Sequence, residues 1–386
     1  MKNNLNKTEL AKEKGLYIHV PFCSSLCSYC DFAKMHKENV FVMPYLKALK
    51  HEIDSYNIKD IKTIYIGGGS PSCLDINELE YLFDILKPLI NDDIEEFTFE
   101  ANIEHINKEK LILLKSKGVN RLSFGVQSSN DELLKMMNRK HTFNDVKEII
   151  SLAREVGFEN ISVDLILGFK ERTLLDLKRE IHDFLSLNVE HISSYCLTIH
   201  ENTKFYINKY ESKSDDEMVD ELRLVHDILS DKGYINYELS NFALKEEYKS
   251  AHNLIYWKNK EYYGVGLGAS GYLNNIWYTN TRNLHKYIKG EYIQESEQIN
   301  DKDDLFYYLM LYLRLIEGID LKEFYHSFSI DFLTCFPQTI NKWNKSGHLL
   351  INDDRIYLSF EGRLILHTIL VDLFKEYEDG LRAKQK

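Results

Sequence analysis

The 386-residue sequence contains no apolar run near the roughly 18 residues a membrane helix requires. The longest candidate, Leu305 to Leu313, stops at Arg314. The opening MKNNLNKTELAKEK has no apolar signal core, so secretion is not expected. A basic excess is also missing: 48 Lys and Arg stand against 60 Asp and Glu, a net charge of −12. This argues against a broad nucleic-acid surface but leaves room for a local basic pocket holding an anionic ligand. Cysteine is sparse. Three of the six, Cys73, Cys196 and Cys335, are scattered and suggest no disulfide framework. No repeat or low-complexity segment is present. These absences fit a cytoplasmic protein, and the 44% hydrophobic content supports a substantial core. The length suits one large domain and one small one.

The other three cysteines lie together. Cys23, Cys27 and Cys30 in CSSLCSYC have C-x3-C-x2-C spacing and follow the apolar run Leu16 to Val20. Three thiolates on one loop can hold three irons of a cubane cluster, which normally takes four Cys ligands. The next cysteine in sequence is Cys73, so one iron would stay open for a small molecule. The competing readings are a structural zinc site, which wants four ligands, and three unrelated buried thiols.

Strand and helix patterns alternate through the first half. Strands are expected at Leu16–Val20, Thr63–Ile66, Phe97–Phe99, Arg121–Val126, Ile161–Ile166 and His191–Leu197. Helices are expected at Tyr45–Tyr56, Leu79–Leu89, Lys108–Lys117, Phe143–Val156 and Leu174–Leu187, with Gly118 and Gly157 as stops. Six β/α repeats imply a parallel sheet covered by helices, arranged as an incomplete barrel. The charged segment ESKSDDE reads as a solvated link into a helix at Met218–Leu229. The stretch AHNLIYWKNKEYYGVGLGASGY reads as aromatic and irregular. From about Lys302 the pattern is mostly helical, and Ile356-Tyr357-Leu358 with the helix after it suggests a winged-helix-like unit used for packing or as a lid. The expected division is 1–235 and 236–386.

Tyr17-Ile18-His19-Val20-Pro21-Phe22-Cys23, with the two later cysteines and Tyr29 between them, resembles the radical S-adenosylmethionine (SAM) superfamily, and within it the HemN/HemW family. The resemblance extends over nearly the whole chain beyond the first dozen residues. It implies an incomplete (β/α)6 TIM-like barrel with a family-specific C-terminal domain. It also implies a [4Fe–4S] cluster on Cys23, Cys27 and Cys30, whose open iron chelates the amino and carboxylate groups of SAM. The turn Gly67-Gly68-Gly69-Ser70-Pro71-Ser72 is similar to the family's GGGTPS motif, which takes up the amino group of SAM, with Ser70 replacing Thr. The match assigns Glu100 to SAM. It places Gln127, Arg139 and Asp164 around a second SAM or substrate site, and Tyr17 and Tyr29 beside the SAM and cluster loop. Taken singly, Arg139 reads equally as a surface charge; for Glu100 the competing, weaker reading is a helix N-terminal charge.

Two features bear on the branch. Phe32 stands where the coproporphyrinogen III oxidase branch has a further cysteine, and His252-Asn253-Leu254-Ile255-Tyr256-Trp257 matches the HNxxYW associated with the HemW branch, viewed as haem chaperones. The resemblance therefore implies haem as cargo, His252 as a candidate haem contact, haem-receiving proteins as partners, and a flavodoxin or ferredoxin reductant if SAM is cleaved. Peripheral membrane association is compatible with it. The rival reading is oxygen-independent coproporphyrinogen III dehydrogenase; another radical reaction on a tetrapyrrole, such as haem ring opening, is a third. On the residues alone, His252 and Asn253 read equally as a buried turn.

Overall fold

A computed structural model describes residues 13–384. Six parallel strands stand side by side in chain order: β1 Lys14–Val20, β2 Ile61–Gly68, β3 Glu96–Ala101, β4 Arg121–Gln127, β5 Asn160–Leu167 and β6 His191–Cys196. Between them run helices α1 Asn39–Ser55, α2 Ile76–Leu86, α3 Lys108–Ser116, α4 Asp131–Met136, α5 Phe143–Val156 and α6 Leu174–Ser186. Each strand neighbours the one before it, the winding of a barrel rather than of a doubly wound sheet. The circle does not close. The last parallel strand is followed outward by antiparallel β8 Asn241–Ala243 and β7 Ile235–Asn236.

The opposite edge carries four more strands. β9 Tyr262–Gly266 lies parallel to β1, and β10 Ser270–Leu273, β11 Ile276–Asn280 and β12 Ile293–Gln298 continue antiparallel. Residues on both sides of 235/236 thus share one twelve-stranded sheet. The stretch expected to be irregular instead forms α8 Ala251–Trp257, β9 and most of β10, and helix α7 Asp215–Asp231 precedes it. From Asp301 the chain is mainly helical. A three-stranded sheet of β13 Ile319–Asp320, β14 Leu349–Ile351 and β15 Arg355–Leu358 leads into the last long helix, Leu366–Lys384. This is the winged-helix-like pattern.

The strands have two faces with period 2. Leu16, Ile18, Val20, Ile64, Ile66, Phe97, Phe99, Leu122, Phe124, Ile161 and Val163 are buried in the main core, packed with the helices. The alternate residues are polar: Tyr17 and His19, Thr63 and Tyr65, Thr98 and Glu100, Arg121 and Ser123, Ser162 and Asp164, His191 and Ser193. They bond to one another across strands, as in Tyr65 to Glu100 at 2.6 Å and Ser162 with His191 at 2.8 Å. A buried polar face of this kind satisfies its own hydrogen bonds and can present groups to a ligand.

A second core gathers Leu309, Leu313, Phe324, Phe336, Leu349, Ile356, Ile369 and Leu373. Helix α8 touches both cores. His252 and Ile255 are buried on the sheet side, whereas Leu254 and Trp257 pack against the C-terminal cluster. Among the described residues no helix is long and apolar enough to cross a membrane.

Candidate metal centre at the strand carboxyl ends

The cysteine loop leaves the carboxyl end of β1 and is held at several points. Ser28 N–H donates to Met137 O at 3.0 Å, Phe205 N–H to Ser28 O at 3.0 Å, and Asn138 Nδ2 to Leu26 O at 2.8 Å. Tyr29 packs on a small apolar cluster that includes Leu134, Met137, Phe169 and Phe205. Cys23 is buried, and Cys27 and Cys30 are half-buried. Burial, followed by the neighbouring thiols of Cys73, Cys27 and Cys30, pushes the Cys23 thiol well up, so binding a metal there displaces a proton.

Two cations face the loop. Arg139 Nη1 lies 3.5 Å from Cys27 Sγ. Lys34 Nζ donates to Cys30 O, and its charge opposes the burial that raises the Cys30 thiol. Arg139 is buried and also donates to Asn102 Oδ1 at 2.9 Å and to Gly125 O, which ties the loop to the ends of β3 and β4. Its Nε has no partner. Glu104 Oε2 lies 3.8 Å away. Burial opposes ionisation of Glu104, but the His141 hydrogen bond and the Arg139 charge outweigh it and bring its pKa down to about 2.

The glycine turn after β2 sits against the start of this loop. Gly69 N–H donates to Val20 O at 2.8 Å and Ser70 N–H to Phe22 O at 2.9 Å. A Cβ on Gly69 would meet the Pro21 carbonyl carbon at 2.7 Å, so only glycine lets the two segments approach this closely. Gly68 adopts φ +109°, and its N–H donates to Glu100 Oε2 at 3.1 Å. Burial raises the Glu100 pKa, while the bonds from Tyr65 and Gly68 act against that rise. His19, beneath the turn, is locked neutral: Nδ1 pairs with Tyr17 Oη at 2.9 Å, Nε2 with Ala33 O at 2.6 Å, and burial lowers its pKa to about 4.

Farther round, Gln127 ends β4 in a left-handed conformation, φ +73°, at a register shift against β5. Such irregularities re-aim a side chain at the end of a strand. Asp164 on β5 is raised to about 7, by burial first and then by Glu100. Cys23, Cys27, Cys30, Tyr17, Tyr29, Gly68, Gly69, Ser70, Glu100, Gln127, Arg139 and Asp164 therefore all belong to the carboxyl-terminal half of the strands or to the loops that follow, apart from mid-strand Tyr17 and Asp164. Sequence reading missed Lys34, Tyr65 and Asn102. The signal for Tyr65 was its alternation with Thr63 and Gly67 on a buried strand; nothing local marked Lys34 or Asn102.

His252 is elsewhere. It is 1% exposed and lies beside Gly15 and Thr63, at the amino ends of β1 and β2. Nδ1 pairs with Thr63 Oγ1 at 2.7 Å and Nε2 with Tyr256 Oη at 2.7 Å, while Tyr65 stacks on the ring at 5.0 Å. Burial lowers its pKa to about 3. The structure thus keeps the imidazole expected to contact haem inside the core, with neither ring nitrogen free.

Three cysteines on one anchored loop, with cations beside two of them, suit an anionic iron–sulfur cluster. The comparisons agree. The radical SAM superfamily model matches residues 17–185 and the HemN C-terminal domain model residues 299–365. The chain is 36% identical to the heme chaperone HemW of Lactococcus lactis, covering 92% of this chain and 95% of that protein. The chain belongs to the HemW family. It is also 36% identical to HemW of Bacillus subtilis and 32% identical to HemW of Escherichia coli, each over more than nine-tenths of both proteins. Among solved structures, E. coli coproporphyrinogen III oxidase HemN superposes with a TM-score of 0.82 at 21% identity, over 97% of this chain and 93% of that one. At that identity the likeness establishes the fold that HemW proteins share with HemN. The radical SAM match, with the HemW relatives, implies a [4Fe–4S] cluster and SAM as cofactors of this protein.

Proposed function

We propose that this protein is a haem chaperone: it binds haem and passes it to haem proteins in the cytoplasm. The observation that carries this reading is full-length similarity at 36% identity to proteins named heme chaperone HemW, against 21% to the oxidase of the same fold. Phe32, in place of a further cysteine just after the loop, adds to it.

Cys23, Cys27 and Cys30 would hold the cluster, which supplies an electron and an open iron when bound. Arg139 and Lys34 would offset its negative charge. Gly68, Gly69 and Ser70 would offer backbone and hydroxyl groups to the SAM ammonium and carboxylate, with Glu100 as an acceptor. Gln127 and Asp164 would face the same ligand, and Tyr17 and Tyr29 would pack around it. A flavodoxin or ferredoxin would serve as reductant where SAM is cleaved.

The test is anaerobic. Reconstituted protein is titrated with haemin, and separately incubated with coproporphyrinogen III, SAM and dithionite. Tight haemin binding without protoporphyrinogen formation is expected; catalytic conversion of coproporphyrinogen would overturn the proposal in favour of the dehydrogenase.

A further inference from the structure

With His252 enclosed, a haem carried by this protein needs another axial ligand, and one stands beside the cysteine loop. A cavity of about 560 Å³ opens there, lined by Cys30, Asp31, Phe32, Lys34, His200 and Arg282 among others. Its volume falls within the range of ligand pockets, roughly 300–1,000 Å³. Phe32 is 64% exposed, a large apolar ring left in solvent. His200 follows strand β6 and is exposed, with Nδ1 3.6 Å from Asp31 Oδ2. At that distance the carboxylate attracts the ring without a hydrogen bond, and Nε2, on the far side of the imidazole, can ligate iron. Arg282 is exposed and makes no ion pair among the described residues, and Lys34 adds a second cation.

Each feature answers a part of haem. The macrocycle is flat and apolar, and an exposed aromatic ring offers it a face. Its iron takes imidazole. Its two propionates are anionic and suit an arginine fork and an ammonium. We propose that this cavity is the haem site, with His200 Nε2 as axial ligand, Phe32 against the porphyrin face, and Arg282 and Lys34 at the propionates. The proposal rests on the haem-chaperone reading and deepens it: cargo would sit against the wall that holds Cys30, while HNxxYW would serve as a structural core.

The test is haemin titration of cluster-loaded wild type, His200→Ala, Arg282→Ala and His252→Ala, followed by difference absorption and electron paramagnetic resonance of the ferric haem. His200 and Arg282 are exposed, so their truncation leaves the core intact; iron and sulfide content is counted for each variant. The expected result is that His200→Ala binds at least about tenfold more weakly and loses the imidazole-ligated signature. Arg282→Ala should weaken binding about threefold with the signature kept. A His200→Ala protein with wild-type affinity and signature overturns this site but leaves the chaperone reading standing, as does loss of the signature in His252→Ala alone. Wild type that binds no haemin overturns both.

Discussion

Arg139 links the cysteine loop to two strand ends. It reaches Cys27, Asn102 and Gly125 at once. Arg139→Lys keeps a positive charge but loses the planar fork, and one ammonium cannot make all three contacts. Iron retained per chain after anaerobic reconstitution should fall at least about twofold, read by iron and sulfide analysis. Wild-type iron content would remove Arg139 from the account. Arg139 shows how far single residues were legible. Taken singly it was evenly balanced between surface charge and site, and only the family pattern favoured the site, because its burial comes from strand ends that precede it in the chain. The surroundings of His252 were hidden for a similar reason. Its Nδ1 partner, Thr63, is 189 residues away, so no local pattern could reveal that the imidazole was already satisfied.

Helix α8 is short and relies on a carboxylate from another element. Glu96, at the start of β3, accepts from Ala251 N–H at 2.7 Å, Ser250 Oγ at 3.2 Å and His252 N–H at 3.3 Å. It also raises the pKa of buried Arg121, against the effect of burial. Glu96→Ala leaves the helix N-terminus without its anion and three donors without their acceptor, and should cost on the order of 3 kcal/mol in urea unfolding. A second carboxylate pins helix α1 to the added strands. Glu52 accepts from Gly266 N–H at 2.8 Å and also from Asn280 and Tyr287. Burial raises its pKa to about 7 from an ordinary 4.5, with those bonds acting in the opposite direction. The folded state therefore binds more protons than the unfolded chain between these values, so stability falls as pH rises from 4.5 towards 7. Glu52→Gln should flatten that slope of the urea midpoint; an unchanged slope would contradict the assignment. The parallel elements were legible because apolar runs alternated with helical spacing and glycine stops. Strands β9 and β10 were not, since GVGLGASGY looks like loop sequence, and β9 finds its partner β1 more than two hundred residues earlier.

At the scale of the whole molecule, one open barrel presents its candidate site residues at the carboxyl ends of the strands, while α8 joins its opposite end to the helical C-terminal unit. The candidate cluster site was proposed from the sequence alone, because its three cysteines and glycine turn are contiguous motifs. The cavity beside it was not, since Phe32, His200 and Arg282 come together only through the fold. The central claim is that three cysteines hold a cube of iron and sulfide with one iron left for SAM. Mössbauer spectroscopy of anaerobically reconstituted, 57Fe-labelled protein tests it most directly. The account predicts a [4Fe–4S] signal in which one iron alone changes when SAM is added; no such cluster, or four irons all indifferent to SAM, would contradict it.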